Sequence, residues 1–147
     1  MPISIHAGSV FDMPTQTVIN TVNCVGVMGK GLAEACARRF PEMETIYKDK
    51  CRRGVLSPGK LYLYTSSTPW ILNFPTKIHW RNPSQIEWIE AGLSTLRNAY
   101  QQMGLTSINV PQLGCANGGL AWSEVECLIY QYLDVPDLQV NICLNNL

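Results

Sequence analysis

The sequence predicts an α/β fold in which one sheet carries helices on both faces. Three observations support this. Short β-branched and aromatic runs alternate with segments of helical periodicity along the chain, the order that places a sheet between helical layers. Glycine-rich loops follow two of the strand-like runs, residues 18–20 and 107–110. The chain has 147 residues, 46% of them hydrophobic, which fits one domain with a substantial core, so residues 1–147 are expected to form a single domain.

The elements follow in order. Residues 3–6 and 18–20 are expected strands. A helix should begin around Gly29 to Gly31 and stop before Pro41. A second should start at Pro41 and end at Gly54, with proline at its first turn and glycine past its end. Residues 60–64 and 70–74 are expected strands around the turn-rich TSSTP. Ser84 and Glu87 have capping-box spacing, and Ile86, Ile89, Leu93, Leu96, Tyr100 and Met103 then recur every three or four residues. A strand at 107–110 leads into the loop PQLGCANGG. Ser123 and Glu126 repeat the capping pattern before Val125, Leu128, Ile129 and Tyr132. That helix should end before Pro136, and a strand at 138–144 completes the fold.

Loops 21–31, 75–84 and 111–119 each leave a predicted strand, and ligands of such sheets lie beyond the carboxyl ends of the strands. These loops are therefore expected to share one cleft. The first joins a strand, three glycines (Gly26, Gly29, Gly31) and a helix N-terminus, a junction whose backbone N–H groups and dipole favour phosphate or pyrophosphate. It matches neither a Walker A loop, since Gly31 follows Lys30, nor the dinucleotide fingerprint, which breaks at Glu34. ATP hydrolysis and nicotinamide redox chemistry are disfavoured accordingly.

Eleven basic and eleven acidic residues balance to zero, unlike the basic excess of proteins that grip long duplex DNA. None of the eleven carboxylates lies in the three loops. That disfavours paired-carboxylate hydrolysis and a magnesium or calcium site, and suits an anionic ligand. Lys77, His79 and Arg81 follow a strand in NFPTKIHWR. A lysine near other cations, or partly desolvated, can act as an amine nucleophile. From composition alone, a surface or phosphate-binding lysine is the simpler assignment. His79 is equally compatible with acid–base work and with a structural place beside Trp80. Asn23 can orient a ribose hydroxyl or cap its own turn. Trp80 and Trp122 border the loops, where core packing competes with stacking on a base.

The six cysteines are scattered with no CxxC pair. They read as reduced thiols of a cytoplasmic protein, with Cys24 and Cys115 as small apolar fillers rather than nucleophiles. Two distant histidines, His6 and His79, make no zinc site. No apolar run is long enough to cross a membrane, and MPISIHAGS lacks the pattern of a signal peptide.

Three segments carry a resemblance: NTVNCVGVMGKGLA, NFPTKIHWR and LGCANGGLAW. They resemble the macrodomain family, whose members bind ADP-ribose, and the likeness runs from about Ile3 to the end of the chain. NFPTKIHWR is the most discriminating segment. It points to the branch of the family that removes ADP-ribose from DNA bases modified by a DarT-type toxin. The resemblance implies a three-layer α/β/α sandwich with a mixed, mostly parallel sheet, working as a hydrolase and as an antitoxin in DNA repair. It implies Lys77 and Asn23 as catalytic residues, with Asn23 orienting the distal ribose. ADP-ribose would contact Ser9, Val10, Asn20, Thr21, Gly26, Val27, Met28, Gly29, Lys30 and Gly31 on one side. Pro75, Thr76, Leu113, Gly114, Cys115, Ala116, Asn117, Gly118 and Gly119 would complete the site. His79, Trp80 and Arg81 would lie near the DNA. The implied partners are ADP-ribose, ADP-ribosylated single-stranded DNA and the toxin, for a monomer without metal, cofactor or membrane contact. A non-catalytic ADP-ribose reader and an ADP-ribose 1″-phosphate phosphatase are the alternatives. Gly8 and Ser9 stand where the family commonly has an acidic residue for the adenine amino group, which implies looser adenine recognition. Ala116 and Ala121 replace a glycine and an aspartate of the usual second loop. Gly118 takes the place of an aspartate found in protein-directed relatives, which points away from protein carboxylate esters.

Overall fold

The predicted alternation becomes six strands and four helices in a computed structural model that describes residues 2–144. Met1 and residues 145–147 of the expected domain lie outside the described residues. The elements are β1 (Ile3–Ala7), β2 (Thr17–Val22), α1 (Gly31–Arg39), α2 (Pro41–Arg52), β3 (Tyr62–Tyr64) and β4 (Trp70–Pro75), then α3 (Ile86–Met103), β5 (Ser107–Val110), α4 (Trp122–Leu133) and β6 (Gln139–Leu144). The sheet order is β1-β6-β5-β2-β4-β3. All neighbouring strands are parallel except β3 and β4. Five carboxyl ends therefore meet at one edge, the geometry that gathers the loops.

Strand alternation divides the core into two layers. Val18, Val22 and Ile71 pack with Cys36 of α1 and Met43 and Tyr47 of α2. Ile19, Leu72, Phe74, Ile108 and Val140 pack with Ile89, Leu93 and Leu96 of α3 and Val125, Ile129 and Leu133 of α4. Ile19, Leu72, Leu93 and Ile129 are completely buried, and each such side chain contributes about 1.5–3 kcal/mol of transfer free energy. Gly92 lets α3 lie directly on Phe74, since a Cβ there would sit 2.2 Å from the ring.

Buried asparagines brace the α1/α2 side of the sheet. Asn20 Nδ2 donates to Asn73 Oδ1 at 3.0 Å, and Asn73 Nδ2 donates to Tyr62 O at 3.2 Å. Asn141 Nδ2 donates to Asn109 Oδ1 at 3.0 Å, while Asn109 Nδ2 holds the β1–β2 loop through Val10 O and Met13 O, both at 2.8 Å.

Three local expectations are corrected. Ser84 does not cap α3: the N-cap is Gln85, and the Ser84 N–H is taken by Gly118 O at 3.0 Å. Ser123 lies inside α4, whose N-cap is Ala121. The third strand begins at Tyr62 rather than at residue 60, because the Lys60 N–H closes a turn onto Ser57 O.

Candidate functional site

The loop after β2 is built around Asn23, which is nearly buried. Its Oδ1 accepts from the N–H groups of Val25 (3.1 Å) and Val27 (3.3 Å), and its Nδ2 donates to Val27 O at 2.8 Å. The Tyr47 hydroxyl reaches up from α2, 2.8 Å from Asn23 O and 2.7 Å from Oδ1. Burial keeps that hydroxyl protonated, raising it well above the ordinary tyrosine range. These contacts give Asn23 a turn-capping role. Beyond it Gly26 (φ 85°) and Gly31 (φ 57°) adopt left-handed backbone, and Gly31 opens α1.

The loop after β4 is stitched to the first. Thr76 N–H donates to Val22 O, and Cys24 N–H to Ile78 O, both at 2.9 Å. Lys77 projects from this seam, and its Nζ donates to Trp80 O at 3.1 Å. Partial desolvation first, and the charge of Lys30 second, hold its amine below the ordinary lysine range. Among the described residues no carboxylate pairs with Lys30, Lys77 or Arg81. His79 Nδ1 accepts from the Arg81 N–H at 3.1 Å, which fixes the loop turn and favours its structural role. Trp80 stands 42% exposed, with the His79 ring 5.3 Å away and the Arg81 guanidinium 4.7 Å above its ring.

The third loop closes from β5. Leu120 N–H donates to Gly114 O, and Ser84 N–H to Gly118 O, both at 3.0 Å. The loops after β4 and β5 are thus joined, and all three predicted segments meet along one edge.

A Macro domain family model matches residues 19–129. The chain belongs to the macrodomain family. It is 41% identical over 145 residues to the DNA ADP-ribosyl glycohydrolase of Mycobacterium tuberculosis, covering 95% of this chain and 41% of that protein. The chain thus spans about two fifths of the length of the curated relatives it matches. The solved macrodomain of Mycobacterium tuberculosis DarG superposes with a TM-score of 0.90 at 42% identity, over 96% of both chains. Thermosipho africanus DarTG in complex with ADP-ribose gives a TM-score of 0.91 at 40% identity, over 98% of this chain and 42% of that one. These matches bear out the three-layer architecture.

Within the macrodomain the predicted contacts separate by exposure. Gly29, Lys30, Gly31, Ala116, Asn117 and Gly119 are exposed, as is Val27, and Ser9, Thr21, Gly26 and Cys115 are half-buried. Val10, Met28, Pro75, Thr76, Leu113, Gly114 and Gly118 are buried, so mainly backbone remains to meet a ligand there. Asn20 is corrected: wholly buried and bonded to Asn73, it braces the sheet beneath the site. Asn23, the other predicted catalytic residue, has its amide engaged by its own loop. Cys24 and Cys115 behave as fillers. Burial, with Cys51 adding to it, pushes Cys24 up to about 11, and burial raises Cys115. Trp122 packs against the α3/α4 core, not over the cleft.

Gly118 explains one departure from the family pattern. A Cβ there would lie 2.3 Å from both Gly114 O and Ser84 Oγ, so the loop has no room for the aspartate of protein-directed relatives. Asp12 is the residue that sequence reasoning missed. Its Oδ2 accepts from the Ser9 N–H at 2.8 Å, and a Cβ on Gly8 would lie 2.7 Å from that oxygen. The spacing Ser9–Asp12, a short polar residue and an acid three apart just after a strand, was the available signal. Depressions on α2 near Thr45 and Arg52, and beside Pro136 and Gln139, include neither Lys77 nor a glycine-loop residue.

Proposed function

We propose that this macrodomain hydrolyses the bond between ADP-ribose and a DNA base. The observation that carries the proposal is the place of Lys77: an amine without a carboxylate partner, depressed by desolvation and by Lys30, at the seam of the first two loops. Pyrophosphate would rest on the backbone N–H groups of residues 29–31 and 114–119. The free Oδ1 of Asp12 is a candidate partner for the adenine amino group. It would supply the acidic contact whose absence at Gly8 and Ser9 implied looser recognition.

The neutral Lys77 Nζ attacks the anomeric carbon with its lone pair. The bond from that carbon to the base nitrogen breaks, and the base leaves with the electron pair and takes up the proton that the nitrogen of Lys77 sheds. Water then hydrolyses the lysine–sugar adduct, giving free ADP-ribose and the regenerated amine. The alternative role for Lys77 is that of a fixed cation stabilising charge at the anomeric carbon.

The similarity to DNA ADP-ribosyl glycohydrolases and to DarTG supports a DNA substrate and a DarT-type toxin as the opposing activity. Six free thiols suit the cytoplasm. No described helix is long and apolar enough to cross a membrane. The proposed working form is a monomer.

The test is incubation with single-stranded oligonucleotides ADP-ribosylated on thymine or on guanine, read by mass spectrometry, beside ADP-ribose 1″-phosphate. The proposal predicts unmodified oligonucleotide plus ADP-ribose from at least one DNA substrate. Tight ADP-ribose binding with no release would make the protein a reader. Phosphate release alone would make it a phosphatase.

A further inference from the structure

Seven large hydrophobic side chains are exposed among the described residues: Ile5, Val25, Val27, Val55, Ile78, Trp80 and Tyr130. Four of them, Val25, Val27, Ile78 and Trp80, stand in the two loops that frame Lys77, and the Cys24–Ile78 hydrogen bond ties those loops together. Exposed apolar side chains on two joined loops beside a site offer a surface that a ligand can cover. The charge around them is one-sided. Lys30, Lys77 and Arg81 have no acidic partner among the described residues, and neither loop contains a carboxylate.

Trp80 is the most specific of the four. Arg81 lies 4.7 Å over its ring, and the His79 ring is 5.3 Å away at a tilt of 31°. Its own carbonyl holds Lys77 Nζ at 3.1 Å, so the backbone of this flat group touches the reactive amine. Planar rings interleaved with cations match single-stranded nucleic acid, whose bases stack on aromatic side chains while the phosphates seek positive charge. A duplex does not fit, because an amine in a cleft reaches a base only when that base is out of the stack.

We infer that Trp80, flanked by His79 and Arg81, is a stacking platform for the nucleobase next to the modified one, with Arg81 contacting the adjoining phosphate. The inference rests on the DNA reading above for its substrate and adds how the strand is gripped. Val25, Val27 and Ile78 form the apolar rim on which the splayed base and its sugar rest.

Two measurements test it separately from the chemistry. The first is anisotropy of a labelled, unmodified single strand of about ten nucleotides, within the usual site size of such grooves. W80A should weaken binding roughly tenfold or more, the scale of one lost base–aromatic stack, while W80F retains most of it. R81Q should flatten the dependence of log affinity on log salt by about 0.7, one phosphate contact. The second compares kcat/KM on an ADP-ribosylated oligonucleotide and on the corresponding ADP-ribosyl nucleoside. W80A should lower the oligonucleotide value roughly tenfold more than the nucleoside value, through KM.

Unchanged strand affinity in W80A would overturn the inference and leave the rim for a protein partner. Equal losses on both substrates would also overturn it, marking Trp80 as support for Lys77 alone. If the wild type released no base from either substrate, the proposed activity would fail while the binding measurement still judged the platform.

Discussion

The two glycine loops contain similar residues and use their glycines for partly different reasons. In the loop after β2, a Cβ on Gly31 would meet nothing within 4 Å and one on Gly29 only Val27 at 3.5 Å. Space is plentiful there, and Gly26 and Gly31 are needed for their positive φ. The loop is held from within by one side chain, Asn23, and from below by Tyr47. In the loop after β5 Gly114 and Gly119 also have positive φ, and room is a further constraint at Gly114 and Gly118. A Cβ on Gly118 would lie 2.3 Å from backbone and from Ser84, and one on Gly114 2.9 Å from Leu120. Both loops are therefore shaped by backbone conformation, the first with a side-chain cap and the second with close packing against α3 and its own turn.

Substitutions can break or sharpen this contrast. The largest effect is expected from G118A. Its methyl must displace Gly114 O or Ser84, costing about 1–3 kcal/mol in thermal or urea unfolding. It should also lose roughly a hundredfold in turnover, the effect that displacing a positioned group by about an ångström can have. Y47F comes next. Removing the hydroxyl takes away the hydrogen bond between Asn23 and α2, at about 1–3 kcal/mol by unfolding, with faster hydrogen exchange expected at Val25 and Val27 while loop 114–119 stays protected. G31A should cost about 1 kcal/mol for a left-handed alanine, and G29A should fall within about 0.5 kcal/mol of wild type. If G29A and G31A proved as damaging as G118A, the contrast would be wrong.

The smallest effect is electrostatic and concerns the cleft between the loops. Lys30 helps to depress Lys77, so K30Q should raise the proton affinity of Lys77. At a given pH near neutrality less amine is then neutral. The rising limb of kcat against pH, measured at saturating substrate, should shift to higher pH. A shift to lower pH would contradict a nucleophilic amine.

Much of the fold was legible because the hydrophobic periodicity is strong. The pattern from Ile86 to Met103 marks α3 to its observed ends, and Pro41 opens α2. The loops that form the site were legible from their glycines and from strand alternation, which places them at one sheet edge. The misses share a physical cause: a polar side chain has several local partners, and only tertiary contacts choose among them. Ser84 had the spacing of a cap, yet its N–H went to Gly118. Asn20 looked like a ligand donor, yet its buried amide was taken by Asn73 across the sheet. Asp12 was overlooked because the turn from Ser9 folds it back onto Gly8. The charges of the second loop made Lys77 a candidate amine, and the macrodomain resemblance raised it to the catalytic one.

The most direct measurement is single-turnover base release by K77A beside wild type, with ADP-ribose affinity determined on the same preparations by calorimetry. K77A is expected to release base at least about a thousandfold more slowly, as loss of a covalent catalyst does, and to bind ADP-ribose within about threefold of wild type. Release by K77A at close to the wild-type rate would contradict catalysis by Lys77.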